Sequence, residues 1–366
     1  MESIAKRYAT LKYTFSLTGT LYLLLLLFVF QQFGFSFTLS RFLSKTLTHQ
    51  FFVIPAYVLI VMVGYYLLEF PLNVCQTFVL ERTFNLSNQQ FKDWLKDQLK
   101  TGLIGYLIAI ILASAFYFIM KRFLHSWWLV VSLFWIFFSL VLAKLTPLVI
   151  IPLFFKYKQL GDEALKKRII ALAKAMKVRI LDVFEIDFSK KTLKANAAFV
   201  GWGKSRRVLL ADTLKDKYTH DEVGVILAHE FAHYQCGHLI KLISINSLVI
   251  ILSFYLVYAT SGSVLIFFGL DSLWDIATLP IVMMYFVVIG FMLQPFENYI
   301  SRIFERSADL RALEVTGLKD AFVSMMNKLG NQNLADRNPH PLIKLFFFDH
   351  PPIDERISFA QSYKGR

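Results

Sequence analysis

The sequence contains little charge and almost no cysteine. Charged residues make up 18% of the 366 positions and hydrophobic residues 56%, whereas soluble domains have about 25% charged and about 45–50% apolar residues. This composition excludes an ordinary soluble protein. Two cysteines, Cys75 and Cys236, are too few for a disulfide scaffold or a zinc cluster of thiolates, and we expect both to be small buried side chains. No proline-rich linker is present, and 37 Phe, 16 Tyr and 6 Trp exclude a disordered chain.

Long apolar runs account for the excess hydrophobicity. A helix of about 20 residues crosses a hydrocarbon core of about 30 Å, and such runs occur near residues 17–36, 51–70, 101–120, 242–267 and 276–296. A longer apolar stretch, 127–155, contains Pro147 and Pro152, so it is either one span with a broken extension or two short spans. The first run has no convincing small-residue cleavage site after it, which indicates an uncleaved span. The sequence therefore predicts an integral, multi-pass membrane protein with six or seven spans.

The positive charge is concentrated in the second half of the chain. The net charge is +13, but no basic motif accompanies it, and we expect no nucleic-acid partner. From Lys156 onward lie 27 of the 39 Lys and Arg residues, and 26 of these lie in the polar stretches 156–240 and 297–366. By the positive-inside rule these stretches are cytoplasmic and the lipid bilayer surrounds the remainder. The sequence does not determine the oligomeric state.

The first polar stretch has the pattern of a small mixed layer. ALKKRIIALAKAMK predicts a helix, RILDVFEID a strand, and KANAAFVGWGKSRRVLLAD two strands joined by a turn around Gly203. Thr219 and Glu222 then form a T-x-x-E capping box directly before the apolar run VGVILAHEFAHY. We expect a small β-sheet followed by a capped helix.

That helix carries HEFAH, an H-E-x-x-H motif of His229, Glu230 and His233. Residues four apart share a helix face, so both imidazoles can bind one metal ion, while Glu230 points toward a water on that metal. Catalytic zinc has three protein ligands and an open position, so a third ligand is required. The alternative is a pair of surface histidines on an amphipathic helix.

A second motif supplies candidates for the missing ligand. In FERSADLRALE, Glu305 and Asp309 are four apart on a predicted helix. One carboxylate can complete a site of two histidines and a glutamate, and its neighbour can accept the other ring proton of a ligand histidine. The alternative for Asp309 is a solvated helix face.

These motifs resemble those of the integral-membrane CAAX prenyl proteases, zinc metalloproteases of the gluzincin type. The resemblance extends over most of the chain and rests on four segments in the family's order: NAAFVG at 196–201, HEFAH followed by Gly237 and His238, the E-x-x-x-D of Glu305 and Asp309, and HPPIDER at 350–356. A segment between spans, FVLERTFNLSNQQFKDWLKDQLK, is similar to the family's N-terminal signature. The long acidic insertion of eukaryotic members is missing, which favours a prokaryotic homologue.

The resemblance implies a role for each motif residue. The implied ligands of one zinc ion per chain are His229, His233 and Glu305, with Glu230 as general base. Asp309 would orient a ligand, and His350 would donate to the oxyanion. Asn196 and Ala197, on an exposed strand, would bind substrate backbone, and Arg356 would contact substrate or brace the carboxylate near the metal. We expect His238 to be structural, because five residues from His233 it shares that helix face poorly.

The expected fold is mainly α: a polytopic transmembrane bundle or barrel with a cytoplasmic gluzincin-like zinc protease domain. Residues 1–155 would form an N-terminal membrane region of four or five spans with an amphipathic linker at 72–100. Residues 156–240 would form the zinc-protease domain, 241–296 two further spans, and 297–366 the C-terminal part of the catalytic domain. The resemblance further suggests that the spans enclose a large chamber.

The expected function is that of a membrane-embedded zinc endopeptidase facing the cytoplasm. Its substrates would be peptides or proteins at the membrane, either prenylated C-terminal tails or proteins awaiting quality control. The runner-up is a membrane protease of the heat-shock type, which has fewer spans and lacks the HPP…ER tail. A transporter or scaffold with a structural zinc is a third alternative, against which Glu230 argues because a structural site needs no such carboxylate. A prokaryotic cytoplasmic membrane is the expected location, with the endoplasmic reticulum as the alternative.

Overall fold

A computed structural model describes residues 3–201, 206–215 and 217–365. Fifteen α-helices occur in these ranges, and three short 3₁₀ and two π-helical stretches adjoin or join them. The helices are α1 (Ile4–Gln32), α2 (Phe35–Thr46), α3 (Val53–Asn73), α4 (Leu80–Thr83), α5 (Phe91–Arg122), α6 (Trp127–Leu145), α7 (Ile151–Phe154), α8 (Glu163–Ala175), α9 (Asp212–Lys215), α10 (His220–Gln235), α11 (His238–Phe267), α12 (Leu279–Thr316), α13 (Lys319–Gln332), α14 (Pro341–Phe347) and α15 (Ile353–Ser362). The strands are β1 (Tyr157–Gln159), β2 (Val183–Ile186), β3 (Ala197–Val200) and β4 (Arg207–Ala211). The predicted turn around Gly203 lies outside the described residues.

Six helical segments in the described ranges are long and apolar enough to cross a membrane. They are Ile4–Gln32, Gln50–Thr83, Phe91–Arg122, Trp127–Phe154, His238–Phe267 and Ile276–Thr316. The stretch predicted as one span or two is a single 28-residue helix. A π-helical segment, Thr146–Ile150, contains Pro147, so the helix accommodates the proline without ending. The predicted multi-pass helical architecture is confirmed, with six spans.

The six spans form a ring. Each span packs against the next one along the chain, and the sixth returns to pack against the first. Only 6% of the most apolar 18-residue window is buried in the first and in the fourth span. Most of the surface of these two spans is therefore not covered by other helices. The expectation of two buried cysteines is wrong, since Cys75 on the second span is exposed and Cys236, just after α10, is half-buried.

One end of the ring is closed by α2 and the segment before α12. There, Ser36 donates to the carbonyl of Ala277 at 2.6 Å and lies 2.6 Å from the hydroxyl of Tyr57. The side chains that surround this contact form a buried apolar cluster that includes Tyr117 and Phe254. Because the spans alternate in direction, the other end receives the N-terminus and the polar stretches.

The polar stretches form one domain at that open end. Its four-stranded sheet has the order β1-β2-β4-β3, with β2 and β4 parallel and the other two pairs antiparallel. Strand β3 is an edge strand, and Phe199 on it makes an edge-to-face contact with Phe231 of α10. The core between the sheet and helices α8, α10, α12 and α13 includes Ile169, Leu227 and Phe322. The sheet therefore positions its free edge beside the helix that carries HEFAH.

The segment that leads into β3 is bound to the membrane spans. Lys194 forms an ion pair with Glu81 at 2.8 Å and donates to the hydroxyl of Tyr8 at 2.9 Å. Glu81 accepts a further hydrogen bond from Tyr8 at 2.6 Å. Leu193 N–H donates to the carbonyl of Leu86 in the loop between the second and third spans. The strand edge is thus fixed relative to the first two spans.

Candidate metal centre

Helix α10 presents the two histidines of HEFAH on one face. Its first turn contains the predicted capping box, in which Thr219 and Glu222 each accept the backbone N–H of the other. The helix is buried from Glu222 to Ala232 apart from Glu230, so its orientation is set by the core around it. His229 and His233 lie one turn apart, and their Nε2 atoms are 3.1 Å from each other.

Helix α12 brings a carboxylate to the same point. Glu305 Oε2 lies 3.2 Å from Nε2 of His229, and Glu305 Oε1 lies 3.2 Å from Nε2 of His233. One ligand atom from each of the three residues lies within 4.8 Å of the others. The three ligands named from the sequence are therefore neighbours, although 72 positions separate His233 from Glu305 in the chain.

This cluster fits a zinc ion. Ligand atoms about 2.0–2.1 Å from a tetrahedral zinc lie about 3.3 Å from one another, close to the separations of 3.1 and 3.2 Å found here. Glu305 Oε2 is buried and makes no hydrogen bond of normal geometry within the described part of the chain. A cation between these three electron-rich atoms would satisfy all of them at once. Two imidazoles and one carboxylate are also the ligand set of many catalytic zinc sites.

Asp309 and Arg356 support His229 on the Nδ1 side of its ring, away from Glu305 and His233. Asp309 is 1% exposed, and its Oδ1 lies 2.8 Å from Nδ1 of His229. This contact keeps the ring proton on Nδ1 and leaves Nε2 free to bind a metal. Arg356 donates to both oxygens of Asp309, at 2.8 Å from Nε and 2.5 Å from Nη2. Its side chain is 10% exposed, so the geometry favours the bracing role expected for Arg356 over contact with substrate.

Glu230 lies beside the ligands without being one of them. Its carboxylate is half-buried and interacts electrostatically with His229, His233, Glu305 and His350. Burial raises the pKa of Glu230 above its ordinary value, and the neighbouring imidazoles oppose the shift only in part. A carboxylate whose pKa is raised toward neutrality takes up and returns a proton more readily than an exposed one.

His350 approaches the site from the loop before α15. Its Nε2 lies 3.5 Å from Oε2 of Glu305, and its Nδ1 lies 2.8 Å from Oδ1 of Asp349. Burial lowers the pKa of His350, but the hydrogen bond to Asp349 and the charge of Glu305 outweigh it, so the net shift is upward. The ring is 53% exposed and can therefore reach a ligand as well as Glu305.

Asn196 and Ala197 lie where β3 begins. Ala197 pairs with Leu210 of β4 on one side, and the other side of the strand is the sheet edge. Asn196 uses its carbonyl to accept the N–H of Ala211. Its side chain is exposed, and no hydrogen bond of its amide group occurs within the described ranges. Both positions are open to an added strand.

The sequence does not reveal the roles of several residues at the site. His238 lies 3.0 Å from His233, Nδ1 to Nδ1, so the spacing argument that set it apart from His233 is wrong. That argument assumed one continuous helix, whereas α10 ends at Gln235 and α11 begins at His238. Asn298 and Arg302 of α12 donate to carbonyls at the end of α14 and just beyond it. They hold the chain that leads to His350, and only the shared helix face of residues 298, 302, 305 and 309 could have indicated this.

Comparison with known proteins also identifies a membrane metallopeptidase. The family described as "Peptidase family M48" matches residues 159–364, and "CAAX prenyl protease N-terminal, five membrane helices" matches residues 3–156. Within 3–156 the structure has four long apolar helices and the 12-residue α2. Fold and site together define an integral-membrane metallopeptidase. The chain belongs to peptidase family M48 and, within it, to the CAAX prenyl protease family.

Individual relatives cover most of the chain. YhfN, an uncharacterized metalloprotease of Bacillus subtilis, is 29% identical over 98% of this chain and 85% of its own length. CAAX prenyl protease 1 of Saccharomyces cerevisiae is 30% identical over 80% of this chain and 68% of its own. The crystal structure of S. mikatae Ste24p superimposes with a TM-score of 0.87 and 25% identity, covering 98% of this chain and 88% of that one. The likeness therefore includes both the membrane spans and the metal centre.

Proposed function

We propose that this protein is a zinc endopeptidase that hydrolyses peptide bonds of membrane-associated substrates. The observation that carries the proposal is the convergence of His229, His233 and Glu305 on one point, with Glu230 beside them. His229, His233 and Glu305 would hold one zinc ion per chain. When bound, zinc polarises a carbonyl oxygen and lowers the pKa of a water molecule.

The protein's own residues supply the proton transfers. Glu230 takes a proton from the attacking water and gives it to the nitrogen of the leaving amine, which is the reason for a carboxylate with a raised pKa at this position. His350, with its pKa raised, donates a hydrogen bond to the oxygen that gains negative charge as the carbonyl is attacked. Asp309 keeps His229 in the tautomer that binds metal.

The edge of the sheet would hold the substrate. An extended peptide can add to β3 as a further strand, because its backbone groups pair with those of Ala197 and the residues after it. The exposed amide of Asn196 would bind the peptide backbone near the bond to be cut. Lys194, which binds Glu81 and Tyr8, fixes the position of this edge relative to the membrane spans.

The ring of spans and the relatives support a lipid-modified substrate. We expect the spans to enclose a chamber, with α2 across the end opposite the metal centre. A lipid-modified tail can place its apolar group there while its peptide reaches the site. Relatives over most of this chain are named CAAX prenyl proteases, which supports removal of a C-terminal tripeptide from prenylated proteins. The match of residues 3–156 to the CAAX protease membrane region argues against the heat-shock type of membrane protease.

The metal centre would face the cytoplasm of a prokaryotic cell. Residues 156–240 and 297–366, which supply the centre, belong to the part of the chain that holds 27 of its 39 Lys and Arg residues. The first span also begins at this end, and Lys6, Arg7 and Lys12 are in its first turns. Cations of this kind are retained on the cytoplasmic side.

The test of the substrate class uses a matched pair of peptides. Purified protein is incubated with a farnesylated CAAX peptide and with the same peptide without the lipid, and mass spectrometry identifies the products. We expect release of the C-terminal tripeptide from the farnesylated peptide, and no release by the Glu230→Gln variant. Equal cleavage of both peptides would contradict the lipid requirement. Cleavage of neither, with unfolded membrane proteins degraded instead, would replace the processing role by quality control.

A further inference from the structure

The turn that follows the HEFAH helix brings a third histidine to the metal centre. Helix α10 ends at Gln235, and Gly237 has a φ of +67°, a conformation that residues with a Cβ atom adopt only with strain. The next helix, α11, begins at His238. The imidazole of His238 therefore returns to the side of His233, with ring centroids 5.0 Å apart.

His238 is held on all sides. Its Nδ1 lies 3.0 Å from Nδ1 of His233, and its Nε2 lies 2.9 Å from the hydroxyl of Ser307. Ser307 in turn donates to the carbonyl of Phe304 at 2.9 Å. The imidazole stacks on the ring of Phe304 with a centroid distance of 4.6 Å and an angle of 7°. His238 is 2% exposed, so water cannot substitute for these partners.

With His233 as a metal ligand, the hydrogen bonds from His233 through His238 to Ser307 can have only one direction. His233 faces His229 and Glu305 with Nε2, so a neutral ring that offers this atom to a metal carries its proton on Nδ1. The proton points at Nδ1 of His238, which must then be an acceptor. The proton of His238 is therefore on Nε2 and points at Ser307. The opposite tautomer of His238 would bring two N–H groups to face each other at 3.0 Å.

We propose that His238 is the positioning residue of His233 and that Ser307 fixes the tautomer of His238. This inference rests on the proposed function, because it takes His233 to be a metal ligand. The two ligand histidines would then differ in the group that accepts their Nδ1 proton. Asp309 supports His229 with a charged carboxylate, whereas a neutral imidazole supports His233. The helix that provides Glu305 also provides Asp309 and Ser307, so one element sets the third ligand and the support of the other two.

The test measures zinc affinity rather than turnover. Apo-protein in detergent is titrated with zinc in competition with a chromophoric chelator. His238→Phe keeps a flat ring against Phe304 and removes the acceptor, and we expect about 10- to 100-fold weaker zinc binding, as for loss of other groups that orient metal ligands. His238→Asn returns an oxygen to the position of Nδ1 and should recover most of the affinity. His49→Phe, at an exposed position outside the centre, is the control and should bind zinc as the wild type does.

The measurements separate failure of the positioning role from failure of the proposed function. Far-UV circular dichroism and thermal unfolding of the apo-proteins establish that each variant is folded, and the visible spectrum of the cobalt-substituted protein reports ligand geometry independently of affinity. Equal zinc affinity and equal cobalt spectra for wild type and His238→Phe would overturn the positioning role while leaving the proposed function intact. A His238→Phe variant that does not fold is replaced by Ser307→Ala, for which weaker zinc binding supports the proposal and unchanged binding opposes it. A wild-type protein that binds no zinc would overturn the proposed function itself.

Discussion

The side chains around the metal centre divide into those that the sequence identifies and those that only the fold brings there. His229, Glu230 and His233 lie within one helical turn, so spacing alone places them together. Glu305 and Asp309 are recognisable as an i, i+4 carboxylate pair, but their partners depend on packing. His238, Ser307 and Asp349 have no spacing signal. Their role follows from a turn at Gly237 and from a loop held by α12, and neither is visible as a period in the sequence.

The pair of His350 and Asp349 gives a pH-dependent prediction. Burial lowers the pKa of His350, whereas Asp349 and Glu305 raise it to a net value above the ordinary one. A donor with a raised pKa keeps its proton to higher pH and loses it, with the activity, as the pH rises through that pKa. Asp349→Asn removes one of the raising causes, so we expect the alkaline limb of kcat/KM to move to lower pH. Identical pH profiles for wild type and Asp349→Asn would contradict this assignment, and His350→Gln should have no such limb.

Local sequence signals determine several elements of the catalytic domain. Helix α8, the capping box at Thr219 with the helix that follows it, and the strands on both sides of Gly203 are all predictable from pattern. The strand predicted over RILDVFEID is shorter in the structure, Val183–Ile186. Just before the strand, the side chain of Asp182 accepts the N–H of Val183 and forms an ion pair with Lys166. Sheet order is not predictable in this way, because the parallel pairing of β2 with β4 depends on packing between distant segments.

Glu222 connects the cap of α10 to α13 and gives a stability prediction. Burial raises the pKa of Glu222, but hydrogen bonds from Lys328, Ser324 and the backbone of Thr219 outweigh it and lower the net value. A depressed pKa contributes stability that is present above the unfolded pKa, about 4.3, and is lost as the pH falls through the folded value. Glu222→Gln should therefore cost about 1–3 kcal/mol at pH 7 and lower the midpoint of thermal unfolding, with a smaller difference at acidic pH.

The matched control for Glu222 is its neighbour Asp221. Asp221 pairs with Arg168 on the surface, and its side chain is 48% exposed. Exposed pairs contribute about 0–1 kcal/mol, so Asp221→Asn should leave the midpoint nearly unchanged. Equal effects of the two substitutions, or an effect of Glu222→Gln that grows toward low pH, would oppose the account of the cap.

At the scale of the whole molecule, hydropathy predicts the spans but not their arrangement. Six apolar segments can be identified because a helix must be about 20 residues long to cross the bilayer. Their closure into a ring, with α2 across one end, depends on contacts such as that of Ser36 with Tyr57, which no periodicity indicates. The exposed Cys75 shows the same limit, since an apolar side chain on a span is buried only if a neighbouring helix covers it.

The orientation of the ring in the membrane gives a labelling prediction. Lys45, on α2 at the closed end, and Gln361, on α15 in the catalytic domain, are both exposed. Each is replaced in turn by cysteine in a chain with Cys75→Ser and Cys236→Ser. With a membrane-impermeant maleimide added to intact cells, we expect Lys45→Cys to react and Gln361→Cys to react only after permeabilisation. The reverse pattern would contradict a metal centre on the cytoplasmic side.

The central claim is that three side chains hold a metal ion while a fourth performs the proton transfer. Metal analysis and peptide hydrolysis, measured on the same preparations of wild type, Glu230→Gln and Glu305→Ala, test it most directly. We expect about one zinc per chain in wild type and in Glu230→Gln, with hydrolysis by Glu230→Gln reduced by at least about 10²-fold, and loss of zinc from Glu305→Ala. Undiminished hydrolysis by Glu230→Gln, or full zinc content in Glu305→Ala, would contradict the account.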